Sequence, residues 1–253
     1  MENLNYQVNP KENIYLILKI VFTLLVYGLT IKLISALGST ELDAIFYAFV
    51  FYGILIALYI LFVNGIMVGY VKGNGVRITI DQFPDVYSTI QKQCEQLNIN
   101  VPPVYIIQNG GVLNAFATRF VGRNYVVLYS EIFELAFEDA ADELNFVIAH
   151  ELGHIKRHHL IKRFWLWPSS LIPFLGASYS RACEFTCDNI GHALSPNGSK
   201  LGLLLLASGK KIYKNVNVKE YLSSASYESG FWVWFAEKVS SHPNLPKRID
   251  NLE

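Results

Sequence analysis

Residues 44 to 71 carry no charged side chain and are apolar almost throughout, a run longer than the ~20 residues a helix needs to cross the hydrocarbon core of a bilayer. No other stretch constrains the chain as much, because a backbone in lipid must satisfy all its polar groups internally, as a helix does. A second apolar run covers residues 14 to 37. It contains Lys19 and Lys32, each near an end, where a long stem can return the ammonium to the interface. Two N-terminal transmembrane helices are therefore expected, at about 14–37 and 44–71. A cleaved signal peptide fits less well: the first run is too long, it follows an acidic, asparagine-rich leader, and another span comes within a few residues.

The loop between the runs, Gly38-Ser39-Thr40-Glu41-Leu42-Asp43, is acidic, whereas Lys11 precedes the first span and Lys72 and Arg77 follow the second. The positive-inside rule then places both ends in the cytoplasm. The part of the chain after the second span is then expected on the cytoplasmic side of a cell membrane. Gly65, Gly69 and Gly73 recur every four residues, which suits either a close helix-packing face or a loosened helix end.

With 253 residues, 52% of them hydrophobic, the chain has room for the membrane segment and one well-filled domain. Its 21 basic and 21 acidic residues balance, so nothing suggests a nucleic-acid footprint. The cysteines, Cys94, Cys183 and Cys187, are too few and odd in number for a secreted disulfide framework and fit a reducing compartment. Cys183 and Cys187 lie four residues apart but lack a matching second pair of soft ligands for a metal site of their own.

Gly73-Asn74-Gly75 reads as a turn dividing a membrane anchor, residues 1–72, from a folded domain, residues 73–253. The domain is predicted to be α+β and mainly helical. Val76 to Ile80 reads as a short strand and Pro84 to Leu97 as a helix, from the spacing of Val86, Ile90 and Leu97. Val104 to Ile107, Ala115 to Thr118 and Tyr125 to Tyr129 read as strands of a small sheet. A further helix is predicted from about Asp139, its cap, to His158, with Leu144, Val147, Ile148, Leu152 and Ile155 on one face.

On that helix His150 and His154 are four residues apart, so both imidazoles project from one face and can bind one Zn²⁺. Glu151 lies beside them, placed to take a proton from a water that the zinc activates. Gly153 gives up some helix propensity where a small residue lets another backbone come close. A third ligand is offered by the segment Arg181 to Asp188, which has helical spacing: Glu184 can complete a His₂Glu site, and Asp188, one turn on, can accept the other ring N–H of a ligand histidine. The rival reading pairs Glu184 with Arg181 as a surface carboxylate. A metzincin histidine is excluded, since that position is Leu160 and the expected glycine is Arg157. His158 and His159 flank a basic helix end and are read as surface residues. Residues 164 to 180 are uncharged and aromatic-rich, but a single crossing there would put Glu184 across the bilayer from His150 and His154. The run is expected to pack in the protein or lie at the membrane surface, where tryptophan is favoured.

These residues, with Asn114-Ala-Phe-Ala-Thr118, the His-Glu-Leu-Gly-His segment, Arg181 to Asp188, and Ser241-His242-Pro243 followed by Arg248, resemble the HtpX-like and CAAX-prenyl-protease-like family of membrane gluzincin peptidases. The resemblance implies a zinc endopeptidase with one zinc ion per chain, held by His150, His154 and Glu184, and with Glu151 as general base. It implies that Asn114, Ala115, Phe116 and Ala117 hold a polypeptide substrate by backbone pairing, and that His242 and Arg248 line the cleft, His242 stabilising the oxyanion. The expected partners are the lipid bilayer and a membrane or membrane-associated protein. Cys187 and Arg119 depart from the family's usual alanine and glycine, and the stretch between His154 and Glu184 leaves no room for two additional spans. The competing classes are a catalytically silent scaffold or chaperone-like module, against which Glu151 argues, and a zinc hydrolase of a non-peptide amide.

Overall fold

The computed structural model of the chain describes residues 4–35, 40–108 and 110–252. Gly38 and Ser39 of the expected interhelical loop lie outside them, while Thr40 to Asp43 already belong to the second long helix. The molecule is mainly helical with one small mixed sheet. Two long apolar helices come first, α1 (Pro10–Ser35) and α2 (Thr40–Asn74), and both are long and apolar enough to cross a membrane. Helix α2 runs on through Gly73, so the predicted turn forms only at Gly75. There a Cβ would overlap the Val71 carbonyl.

The sheet holds β1 (Val76–Arg77), β2 (Val104–Ile107), β3 (Ala115–Phe120) and β4 (Arg123–Tyr129) in the order β1-β2-β4-β3. β2 and β4 are parallel, and the outer pairs are antiparallel. Strand alternation gives the sheet two apolar faces. Val104, Ile106, Val126 and Leu128 join the main core. Tyr105, Tyr125 and Val127 pack against Val68 and Val71 near the end of α2, so the second long helix is seated on the sheet. β1 is shorter than predicted because the chain turns at once into the Thr79–Gln82 bridge.

The main core is closed by α3 (Pro84–Leu97), α5 (Ala141–Lys156), α7 (Leu175–Leu194) and α8 (Pro196–Ser208), with a short α4 (Ser130–Phe133) between sheet and α5. α5 starts after the predicted point: Asp139 has φ 24°, outside helical geometry, and no side chain caps the helix. Gly153 lies against Cys187, whose Cα would be 3.4 Å from an added Cβ, which brings α5 and α7 into close contact. The Phe146 ring of α5 fits between Gly191 of α7 and Gly202 of α8. Residues 164 to 180 do not cross anything. They form the end of α6 (His159–Trp165), a 3₁₀ turn at Trp167–Leu171 and the start of α7, with Pro168 and Ser169 buried and Trp165, Trp167 and Leu171 exposed.

Helix α1 also packs against the rest of the chain. Lys19, expected to reach back to an interface, is buried and donates to Ser169 Oγ at 2.7 Å, because α7 and the 3₁₀ turn cover that side of the helix. The remaining elements are α9 (Val218–Tyr227), α10 (Phe231–Val239) and α11 (Leu245–Asp250).

Candidate metal centre

The middle of α5 faces the middle of α7, and three donor atoms meet between them. His150 Nε2 and His154 Nε2 are 3.3 Å apart. Glu184 Oε2 lies 3.5 Å from His150 Nε2, and Glu184 Oε1 lies 3.3 Å from His154 Nε2. Donors bound at ~2.0–2.1 Å to a tetrahedral zinc are separated by ~3.3 Å, so the two imidazole nitrogens and the Glu184 carboxylate, one of its oxygens facing each ring, lie at the spacing of three such ligands. The residues therefore fit a zinc ion.

The electrostatics ask for a cation at the same point. Burial alone would push the Glu184 carboxyl up, yet hydrogen bonds from His150, His154 and His242 and the charge of Arg248 hold it well below the usual carboxylate range. Burial would likewise favour neutral His150, but the Asp188 and Glu184 carboxylates override it and raise the imidazole to about 10.

Each predicted residue can be located. His150 Nδ1 is 2.9 Å from Asp188 Oδ1, so Asp188 fixes the tautomer that leaves Nε2 free for a metal. Arg248 holds Asp188 in a fork, Nε to Oδ2 at 2.8 Å and Nη2 to Oδ1 at 2.7 Å, and its Nη1 lies 3.3 Å from Glu184. His242 Nδ1 is 2.9 Å from Glu184 Oε2, while its side chain is 64% exposed. Arg181 does not pair with Glu184. Its guanidinium donates to the carbonyls of Glu237, Lys238 and Ser240 and so ties down the segment leading to His242.

Glu151 accepts a hydrogen bond from Ala117 N–H at 2.7 Å. Of the four strand residues expected to meet substrate, Ala117 is thus the one joined to the site. Asn114 turns its amide oxygen back to Ala115 N–H, and the Phe116 ring lies edge-on to Tyr129 on the opposite face of the sheet. β3 is the last strand of the sheet, and among the described residues no other strand pairs with its outer edge.

His159 overturns its prediction. It is buried, with Nδ1 3.1 Å from His154 Nδ1 and Nε2 3.2 Å from Glu12 Oε1. Arg157 donates to the same oxygen from Nε at 3.2 Å and Nη2 at 2.9 Å. Burial, helped by the neighbouring His154 and Lys162, pushes His159 down to about 4 despite Glu12. The helix-end pattern misled because a left-handed residue, His158 at φ 56°, breaks α5 from α6 and turns the next side chain inward. His158 itself is exposed, as expected. Glu12, placed in the leader by sequence, is wholly buried.

Residues 81–168 match Peptidase family M48, a class of metallopeptidases. Over part of its length the chain is similar to HtpX-like proteases. It is 28% identical over 179 residues to a plastoglobule-localized metallopeptidase 48 from Arabidopsis thaliana, covering 62% of this chain and 50% of that protein. It is 35% identical over 130 residues to a protease HtpX homolog from Nostoc sp., covering 51% of this chain and 43% of the relative. The chain thus spans about half the length of these curated relatives. The crystal structure of S. mikatae Ste24p shares the fold, with a TM-score of 0.52 at 14% identity, covering 98% of this chain and 67% of that one.

Proposed function

We propose that the chain is a membrane-anchored zinc endopeptidase that hydrolyses peptide bonds of membrane or membrane-proximal proteins. The observation that carries this reading is the cluster of His150, His154 and Glu184 donors beside a carboxylate, Glu151, that is fixed to the outer edge of β3.

His150, His154 and Glu184 would hold the ion, which when bound lowers the pKa of a water and polarises a carbonyl. Glu151 takes the proton of the attacking water and passes it to the leaving amine, held in place by Ala117 N–H. The outward carbonyls of Ala115 and Ala117 accept N–H groups of an extended peptide laid along β3, which brings its scissile carbonyl beside Glu151. His242, anchored at Nδ1 by Glu184, is assigned the oxyanion through its other ring nitrogen. Asp188 and Arg248 hold His150 and Glu184 from behind.

Residues 1–72 serve as the anchor and 73–253 as the peptidase unit, on the cytoplasmic face of a bacterial cell membrane. Exposed Trp167, on the 3₁₀ turn packed against α1, with exposed Trp165 just before it and Phe231, Trp232 and Trp234 on α10 beside α7, suits the headgroup level of a bilayer. That position favours membrane-proximal polypeptides as substrates.

The test compares the wild type with Glu151→Gln in lipid nanodiscs, measuring bound zinc and cleavage of an unfolded protein. The variant is expected to keep its zinc and to lose cleavage by at least about 100-fold. Equal cleavage by the two would sink the reading.

A further inference from the structure

Both metal-facing histidines turn their second ring nitrogen into the protein, but towards different partners. His150 meets a carboxylate at once, Asp188, which is clamped by Arg248. His154 meets another imidazole, and the two Nδ1 atoms lie 3.1 Å apart. Two ring nitrogens at that distance must share one proton between them, since two bare lone pairs or two N–H groups repel. For neutral His154 to present a lone pair at Nε2, its proton sits on Nδ1, and His159 Nδ1 must accept. Neutral His159 then carries its own proton on Nε2, 3.2 Å from Glu12 Oε1. Glu12 is held there by Arg157 through two nitrogens. Each arm of the site therefore ends on a buried carboxylate paired with arginine. The second arm is one imidazole longer and ends in a different part of the chain.

We propose that Glu12, at the start of membrane helix α1, is a positioning residue for the metal site and acts through His159 on His154. This rests on the metallopeptidase reading above. The chain of donors, His154 to His159 to Glu12, fixes the tautomers of both rings and the orientation of His154. It makes the first turn of the anchor a working part of the site.

The same cluster admits a rival occupant. Glu12, His159 and Cys183 could hold a second metal ion, as could His154, His159 and Cys187. Glu12 Oε2 is also buried with no hydrogen-bond partner among the described residues. Against a cation there, the other Glu12 oxygen already faces the Arg157 guanidinium, the Lys162 charge lies near, and burial holds the Cys183 and Cys187 thiols protonated.

The experiment uses the full chain in nanodiscs, with zinc affinity read by chelator competition and stoichiometry by elemental analysis. Glu12→Gln and His159→Leu are each expected to weaken zinc binding by about 10- to 100-fold, the range for partners that orient a ligand histidine. Combining them should cost little more than either alone, because they lie on one chain of contacts, whereas adding Asp188→Asn to His159→Leu should cost further. Imidazole ¹⁵N spectra of the zinc-loaded wild type need no variant, and should show His159 as the Nε2–H tautomer. Unchanged zinc affinity in a folded Glu12→Gln protein, or His159 protonated on Nδ1, would overturn the proposal. So would a second zinc per chain that Glu12→Gln removes. Failure of Glu184→Gln to weaken zinc binding would instead bring down the metallopeptidase reading, and this inference with it.

Discussion

Asp188 is wholly buried, and the groups around it, His150 and Arg248, leave it no role but to be an anion. Burial would raise its pKa, but Arg248 and the His150 hydrogen bond keep it low. Asp188→Asn is expected to lower zinc affinity by about 10- to 100-fold. It should also destabilise the fold by about 3–5 kcal/mol by stranding Arg248, a loss that thermal melting of the metal-free protein would report. Ala117 offers a cleaner cut. Its N–H points away from β4 toward Glu151, so Ala117→Pro removes that donor without breaking the ladder, as edge strands allow. Cleavage should fall roughly 100-fold through a displaced base while zinc affinity holds; unaltered cleavage would show that the Ala117 contact does not position Glu151. At this scale the sequence was legible wherever partners share a helix. His150 with His154 and Glu184 with Asp188 are one turn apart, and helical periodicity alone aligns them. His159 and Glu12 are separated by 147 positions, and no local pattern joins them.

Among the elements, the β3–β4 hairpin carries a visible local cost. Its two-residue turn, Val121-Gly122, has φ of 43° and 79°, the mirror-image turn that matches strand twist and asks for Asn or Asp at the first place. A β-branched valine is strained there, and its side chain is exposed. Val121→Asn should stabilise the domain by about 1 kcal/mol, read as a shift in denaturant midpoint. Gly198, near the start of α8, lies so close to α5 that an added Cβ would overlap the Asp142 carbonyl. Gly198→Ala should therefore push the two helices apart and destabilise by more than about 1 kcal/mol, whereas Gly69→Ala, with open space around it, should be neutral or mildly stabilising. Periodicity located α3 and β2 to the residue, because their apolar spacing reflects a single buried face. It misplaced the start of α5, where Asp139 instead offers its carbonyl to Lys214 and takes up a non-helical conformation that no propensity announces.

For the molecule as a whole, the first helix and the residues before it share polar contacts with the domain that a simple tether would not need. Asn9 N–H reaches Thr186 Oγ1, Asn189 donates to the Gln7 carbonyl, and Lys19 meets Ser169. On the other side α2 covers the tyrosine face of the sheet. A chain beginning at residue 73 would leave Arg157, His159 and Ser169 without these partners and bare Tyr105, Tyr125 and Val127. It is expected to be poorly soluble and to bind zinc at least about tenfold more weakly, as chelator competition would show. If it proved monodisperse with wild-type affinity, the helices would be mere moorings. The contacts of Glu12 with Arg157 and His159 say otherwise: another helix of equal length and greasiness could not replace α1 without also remaking the surroundings of His154.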